Sequence, residues 1–596
     1  MKSFSQKIVE QLIATPPTSR EDILSVERRL ARQSPGAIFP TTMDLLKAYH
    51  DLLETKTILR NERLEGLLQK HPMRTLSGVA IITVLARPYP CPGKCSYCPT
   101  EVRMPKSYLE KEPAAWRGLI LRFDPYTQMR SRIETLTANG HPTDKIELIV
   151  KGGTWSAYPA VYQRWFLKRC FDGANDAGSV EQPEEYTMIL IKSKDQVAPA
   201  EEPGTRLEKE HRQVDNTDGW VDAVPITDEE IEGAHKKNEL GTHRVIGITL
   251  ETRPDWVTAK EVARLRALGC TRIELGVQHT DPEILKGVNR GHDISGVKRA
   301  TLLLREAGFK VDFHMMPQLP GATPEKDIAA FDMLWSDGDL RPDMMKIYPC
   351  VVLKTAEIFQ WWKDGKYKPY SLEELIEVLI TVKSRIPRYV RISRLIRDIP
   401  ADYIYDGNNV TNLRQTIQAL MKKRGLVCQC LRCREIGHQE RKTLNVNRVT
   451  LFVDEYEASG GKEYFLSFED PERTAVYAFC RLRIPARIVQ KKSITPELDT
   501  LIPEIADCAF IRELHTYGHL IPIGEEGTIQ HTGFGKQLME KAEEIVREYG
   551  INPDNKAGRC YGARKIAVIA GIGVRPYYEK LGYKREGTYM TKTTKT

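Results

Sequence analysis

Long hydrophobic runs are missing from this chain of 596 residues. The best, at 79–86, is less than half of the ~18 apolar residues that a membrane helix needs, so no membrane span is expected. The start, MKSFSQKIVE, has no apolar signal core, and the expected location is the cytoplasm. Cysteine is scarce, 12 in all. That is too few for a disulfide scaffold, and tight clustering points to metal ligands instead. Nor does one charge sign dominate, with 88 Lys and Arg against 80 Asp and Glu. At 41% hydrophobic and 28% charged the chain is neither fibrous nor broadly disordered. Its length asks for about two to four domains.

The small excess of positive charge is local. Residues 381–450 hold 15 basic and 5 acidic side chains, and the remaining chain sums to slightly negative. Such a concentration fits a polyanion partner, nucleic acid first, or simply a solvated face.

The first 75 residues alternate helical patterns with breaks at Thr15-Pro16-Pro17-Thr18 and Ser34-Pro35-Gly36, and form a basic, candidate nucleic-acid-binding region. From 76 to 380 the rhythm becomes strand–helix. Six apolar runs begin near Val79, Lys145, Arg244, Thr271, Lys310 and Asp343. Helical patterns at 257–268 and 295–307 end at Gly269 and Gly308. This is the α/β pattern of a parallel sheet, and six units suit a partial barrel better than a closed eight-fold one. Residues 179–240, rich in Glu, Pro, Asp and Lys, are expected to be a surface insertion. The stretch 381–445 is expected to be a basic, metal-bound linker. Residues 446–596 should form an α+β unit, with strands at 449–456, 463–468 and 474–482, then a glycine turn, a helix and a strand at 565–570.

The first apolar run leads into Cys91-Pro-Gly-Lys-Cys95-Ser-Tyr-Cys98. Three thiolates at C-x3-C-x2-C can hold three irons of a [4Fe–4S] cluster and leave the fourth open. A structural zinc site would want a fourth protein ligand nearby. The loop resembles the radical S-adenosylmethionine (radical-SAM) superfamily, which implies a six-stranded partial barrel. It also implies that S-adenosylmethionine binds the open iron and yields a 5′-deoxyadenosyl radical on reduction. The superfamily's Gly-Gly motif is matched by Gly152 and Gly153, with Thr154 in place of the commoner Glu. Glu251, after the third run, is placed to bond a ribose hydroxyl or to cap the next helix.

Inside the basic stretch, Cys428, Cys430, Cys433 and His438 offer four soft or borderline ligands within eleven residues. That suits a tetrahedral structural Zn²⁺ stapling the linker. Near the C-terminus, Gln530-His-Thr-Gly533-Phe534-Gly535-Lys536 opens an amphipathic helix. A loop of free backbone N–H groups at a helix start can hold a pyrophosphate. With the later Tyr577-Tyr578 it resembles the GNAT acetyltransferase fold. Either phenol could protonate a leaving thiolate, or the pair could be aromatic core.

A radical-SAM barrel, a cysteine-bound linker and a GNAT unit in one chain resemble the family of the Elongator catalytic subunit and its single-chain bacterial and archaeal relatives. The matching segments include DKIELIVKGGT from Asp144, GITLETRPD from Gly247, RIELGVQ from Arg272, HMMPQLPG from His314 and RELHTYG from Arg512. Cys91 and Cys95 keep the short superfamily spacing that eukaryotic members lengthen. The resemblance implies a tRNA-modifying acyltransferase. The radical would take hydrogen from the methyl group of acetyl-CoA, and the carbon radical would add at C5 of the wobble uridine, position 34. Thioester hydrolysis would then give 5-carboxymethyluridine. It implies that Lys145, Glu513, Leu514, His515 and Thr516 line the acyl end, and that Gln530, Gly533, Phe534, Gly535, Lys536 and Tyr577 hold the CoA. Arg385, Arg388, Arg391, Arg394, Arg397, Lys422, Lys423 and Arg424 would form one phosphate-tracking surface for the tRNA anticodon stem-loop. A homodimer or Elongator-type accessory subunits are the protein partners the family suggests. The alternative function is a protein-lysine acetyltransferase with a structural iron–sulfur cluster.

Overall fold

The computed structural model describes residues 2–594 apart from 35, 37, 70–74, 76, 180, 182–223, 440–447, 518–532 and 551–563. Four helices come first: Phe4–Ala14, Arg20–Arg32, Thr42–Glu54 and Glu62–Leu68. Ser3, Ser19 and Thr41 each make a reciprocal capping box, which satisfies backbone N–H groups that a helix start leaves bare. Their apolar stripes meet around Leu12, Leu45, Leu46 and Tyr49. His141 Nδ1, 2.9 Å from Thr75 Oγ1 and 3.1 Å from Gln69 Nε2, ties this bundle to the next unit.

That unit is a curled parallel sheet. Strands β1 (Ala80–Leu85), β2 (Lys145–Lys151), β3 (Arg244–Thr252), β4 (Arg272–Gln278), β5 (Lys310–Met315) and β6 (Met344–Ile347) lie side by side in chain order. The chain then makes β7 (Val352–Leu353), β8 (Arg391–Arg394) and β9 (Ile404–Asp406). Strands β7 and β9 form a small ribbon, but β8 pairs in parallel with β6. The sheet therefore has seven strands where the sequence predicts six, and the seventh comes from the expected linker. Arg391-Ile-Ser-Arg394 holds one apolar residue in four, so hydrophobic periodicity could not mark it.

The insertion also departs from expectation at its end. Asp228–Glu239 is a capped helix with Ile231, Ala234, His235 and Asn238 buried. It reaches the C-terminal unit through Glu239, 2.8 Å from Arg575. Residues 182–223 of the insertion lie outside the described residues.

The C-terminal unit is a second seven-stranded sheet of β10 (Thr450–Ala458), β11 (Gly461–Glu469), β12 (Val476–Ile484), β13 (Cys508–Thr516), β14 (Lys565–Val568), β15 (Lys584–Glu586) and β16 (Tyr589–Thr593). Their order is β10-β11-β12-β13-β14-β16-β15, antiparallel except for the β13–β14 pair. The helix Phe534–Gly550 lies between β13 and β14 in the chain and buries Leu538, Met539, Ala542 and Val546.

Two devices lock the sheets together. A Cβ at Gly571 would collide with Ile246 O on β3, and one at Gly573 would meet Arg244 Cβ at 2.5 Å. Beside this close approach, Arg512 sits 2.5 Å from Asp343 and 2.9 Å from Glu463, while Arg483 sits 2.7 Å from Glu306. These side chains are at most 1% exposed. No helix among the described residues is long and apolar enough to cross a membrane.

Candidate active site

Alternate residues of a strand face the same side, and here the lumen side carries charge. Glu147, Lys151, Glu251, Arg272, Lys310 and Lys346 all line a cavity of about 870 Å³ that runs from the cysteine loop after β1 to the face of the C-terminal sheet. Cys98 lines one end, and Glu513, Leu514, His515 and Tyr578 line the other.

At the cysteine end, Arg290 Nη1 donates to Cys95 Sγ at 3.4 Å, and Arg253 Nη1 does so at 3.8 Å. Burial pushes the Cys95 thiol up, but the Arg290 guanidinium above all holds it below its ordinary value. Burial pushes Cys98 up to about 12. Cys91 Sγ is 3.6 Å from Thr154 Oγ1. This donor set fits a three-thiolate cluster, because a buried negative charge needs cations aimed at it. Gly152 and Gly153 adopt φ of 151° and 84°. A Cβ on Gly152 would come within 2.8 Å of Ala86 Cβ, so a close backbone path explains the pair. Glu251 accepts from Lys151 Nζ and from the Tyr108 hydroxyl, both at 3.1 Å. Lys151 also binds Glu274, 2.6 Å away, and His314 Nε2 lies 2.9 Å from the same carboxylate. Gln278 Oε1 is buried on the cavity wall without a partner, an orphaned acceptor that suits a polar ligand such as S-adenosylmethionine.

At the far end, Glu513 is 2.9 Å from Arg481 and 3.3 Å from Lys310. Burial would raise its carboxyl, yet Lys310 and Arg481 hold it down at about 2. Burial lowers His515 to about 4 and leaves its Nε2 unpartnered. A Cβ at Gly535 would stand 3.1 Å from the Tyr577 hydroxyl and 3.4 Å from Thr516 Oγ1. That narrow cradle fits an acyl-CoA passing over bare backbone. Tyr577 is 41% exposed, whereas Tyr578 is buried, and burial raises both phenols. Phe534 stacks on Phe468 at 4.4 Å, and Lys536 points to solvent near Glu540. Gly533 takes φ 75° just before the helix. Gln530 lies outside the described residues. Lys145 is half-buried at the start of β2 opposite Arg244, outside the cavity lining.

The Cys428, Cys430 and Cys433 sulfurs lie within 4.8 Å of one another. His438, expected as the fourth ligand, is not in this group. A short turn, Ile436–His438, carries its Nε2 to 3.6 Å from Glu435. The Lys383 ammonium sits instead against Cys428, at 3.2 Å, and Cys433, at 3.7 Å. Three soft donors still fit a zinc ion. The eight basic residues expected on one surface differ in their surroundings. Arg391, Arg394 and Arg397 line the cavity. Arg385 is paired with Asp332, Arg424 with Glu377, and Arg388 donates to Arg473 O. Lys422 and Lys423 project from the end of the helix Leu413–Lys423.

The profile of the Radical SAM superfamily matches residues 209–334, and that of the Radical_SAM C-terminal domain matches 342–423. The tRNA uridine(34) acetyltransferase of Methanocaldococcus jannaschii is 40% identical over 556 residues, 91% of this chain and 89% of that protein. Its namesake from Dehalococcoides mccartyi is 38% identical over 87% of this chain and 98% of its own. Human Elongator complex protein 3 is 32% identical over 99% of this chain and 96% of its own. The solved structure of the archaeal Methanocaldococcus infernus Elp3 with an N-terminal deletion superposes with a TM-score of 0.67 at 38% identity, over 87% of this chain and all of that one. The chain belongs to the Elp3 family of tRNA uridine(34) acetyltransferases. The radical-SAM match thus reaches past 380 to 423 and takes in β8, the edge strand that part of the supposed linker adds to the sheet.

Sequence reading missed several lumen residues of this Elp3-family chain: Lys151 as an ion-pair partner, Glu274, Lys346, and the arginines at Cys95. Lys151, Glu274 and His314 all stand in segments that match the family, but periodicity does not distinguish a charge facing a lumen from one facing solvent.

Proposed function

We propose that the chain forms 5-carboxymethyluridine at tRNA position 34, taking its two-carbon unit from acetyl-CoA by radical chemistry. The observation that carries this reading is the single cavity whose ends are Cys98 and the Glu513–His515 segment. Two chemistries that share an intermediate need one sheltered path, and a wall of fixed charges provides it. A lysine acetyltransferase would need neither the cysteine loop nor a joined cavity.

Cys91, Cys95 and Cys98 would hold a [4Fe–4S] cluster, with Gly152, Gly153, Thr154 and Glu251 around S-adenosylmethionine. When bound, cluster and S-adenosylmethionine supply the means of taking a hydrogen atom from the acetyl methyl group. The protein's part is to orient and to exclude water. Arg290 and Arg253 balance the cluster thiolate. The C-terminal unit acts as a GNAT domain in which the Gly535 cradle guides the pantetheine arm, and Glu513 stays ionised between Lys310 and Arg481. The Tyr578 hydroxyl lines the cavity and is kept protonated by burial, so it would donate a hydrogen bond to the departing CoA sulfur. Cys428, Cys430 and Cys433 would hold a structural zinc ion, and the N-terminal helices with the cavity-lining arginines would take the tRNA.

The test is anaerobic incubation of the reconstituted chain with dithionite, S-adenosylmethionine and acetyl-CoA, with and without tRNA. CoA release should depend on tRNA, and the modified nucleoside should vanish in Cys95→Ala. Release onto lysine peptides, indifferent to tRNA and to Cys95, would overturn the reading.

A further inference from the structure

We infer that Arg391, Arg414 and Arg432, with the Ser393 hydroxyl, form a phosphate-binding pocket in the cavity wall, between the acyl end and the cysteine triad. The identity of the phosphate rests on the proposed function; the anion chemistry does not.

All four side chains line the cavity. They come from three elements: β8 carries Arg391 and Ser393 on one face, Arg414 opens the helix Leu413–Lys423, and Arg432 stands in the turn Leu431–Arg434. Most neighbouring arginines are neutralised. Arg394 is 2.6 Å from Asp398, Arg424 is 2.6 Å from Glu377, and Arg434 is 2.7 Å from Glu469. Of the pocket arginines, Arg414 and Arg432 are not. Arg414 Nη2 donates to Ile392 O at 3.0 Å, but its Nη1 is buried with no partner. Among the described residues no carboxylate lies within ion-pair distance of Arg414 or Arg432. Ser393 Oγ is likewise buried and unpartnered. Arg391 contacts Glu435, which already accepts from the Tyr517 hydroxyl at 2.9 Å.

The charge balance points the same way. The three guanidiniums repel one another. Opposite them stand Glu435 and the thiols of Cys428, Cys430 and Cys433. Three thiolates around a divalent ion carry one net negative charge, and Lys383 sits against two of them, so two positive charges stay uncompensated. Several N–H donors and a hydroxyl converging on one point match a tetrahedral oxyanion, and guanidinium forks match phosphate oxygens in pairs. Both substrates bring such a group: the tRNA backbone near position 34, and the phosphates of CoA.

The measurement uses the full, metal-loaded chain. Affinity for an anticodon stem-loop is read across a salt series, and affinity for acetyl-CoA is read separately without RNA. Arg432→Gln should fold, since no ion pair is lost, and Arg414→Gln/Arg432→Gln extends the effect. The double variant should lose about tenfold in stem-loop affinity. Its salt slope should fall by about 0.7, the value for one single-strand phosphate, while Arg414→Lys/Arg432→Lys keeps most of both. If acetyl-CoA affinity falls instead and the RNA is unaffected, the pocket holds a CoA phosphate. Unchanged affinities for both, with an unchanged salt slope, overturn the inference. Formation of the modified nucleoside by wild type is scored independently, so failure of the pocket and failure of the proposed function are told apart.

Discussion

Single residues in this molecule matter most where charge is buried. Burial would push the Asp343 carboxyl up, but Arg512 foremost holds it well below the carboxylate range. Removing one partner of such a pair leaves the other stranded in low dielectric, at a cost of about 3–5 kcal/mol. Arg512→Ala should therefore lower the denaturation midpoint by that equivalent, with Arg512→Lys recovering part; a change under about 1 kcal/mol would show that water enters the interface. His235 makes a pH prediction. It is buried at 3% exposure, and burial lowers its imidazole to about 3. An unfolded histidine takes a proton near 6.5, so the unfolded state binds more protons between there and about 3. Stability carried by neutral His235 is full above 6.5 and drains away as pH falls through that window. Thermal unfolding of His235→Gln should show a shallower acid decline than wild type, and parallel curves would contradict it. The cysteine triads were legible as residues because spacing alone marks them. Arg290 and Arg253 were not, since nothing in the sequence says which arginine reaches a sulfur 158 or 195 residues away.

At the scale of elements, strands and helices with clear apolar rhythm were readable, and those held by other forces were not. Strands β1 to β6 begin where apolar runs begin. Strand β8 is polar and exists because β6 offers it backbone partners, which is tertiary context overriding propensity. The helix Asp228–Glu239 hid in a charged stretch, though Thr227 and Glu230 spell a capping box. The backbone of the turn Gly571–Gly573 packs directly on β3. Gly571→Ala should separate the two sheets locally, since its Cβ would meet Ile246 O. We expect a midpoint several degrees lower and faster proteolysis between the units. An unchanged midpoint would mean that the turn can shift at little cost.

The whole molecule is two sheets facing a shared cavity, joined by buried arginines on one side and a cysteine-rich corner on the other. This arrangement predicts that residues 448–594 expressed alone will not fold as they do in the full chain. Arg512 and Arg483 would lose Asp343 and Glu306 and be left to share the single carboxylate of Glu463. Dispersed amide spectra from that fragment would contradict the account. The general architecture was legible from strand rhythm and motif order. The joining of the two ends was not, because no local pattern records which faces of two domains meet. The claim that matters most is that the acetyl methyl group is activated inside this cavity and delivered to the wobble base. It is tested by supplying acetyl-CoA carrying three methyl deuteriums to the reduced, reconstituted chain with tRNA. The account predicts one deuterium in 5′-deoxyadenosine and two in the 5-carboxymethyl group. Deuterium-free 5′-deoxyadenosine beside a fully labelled acetyl group on RNA or protein would contradict it.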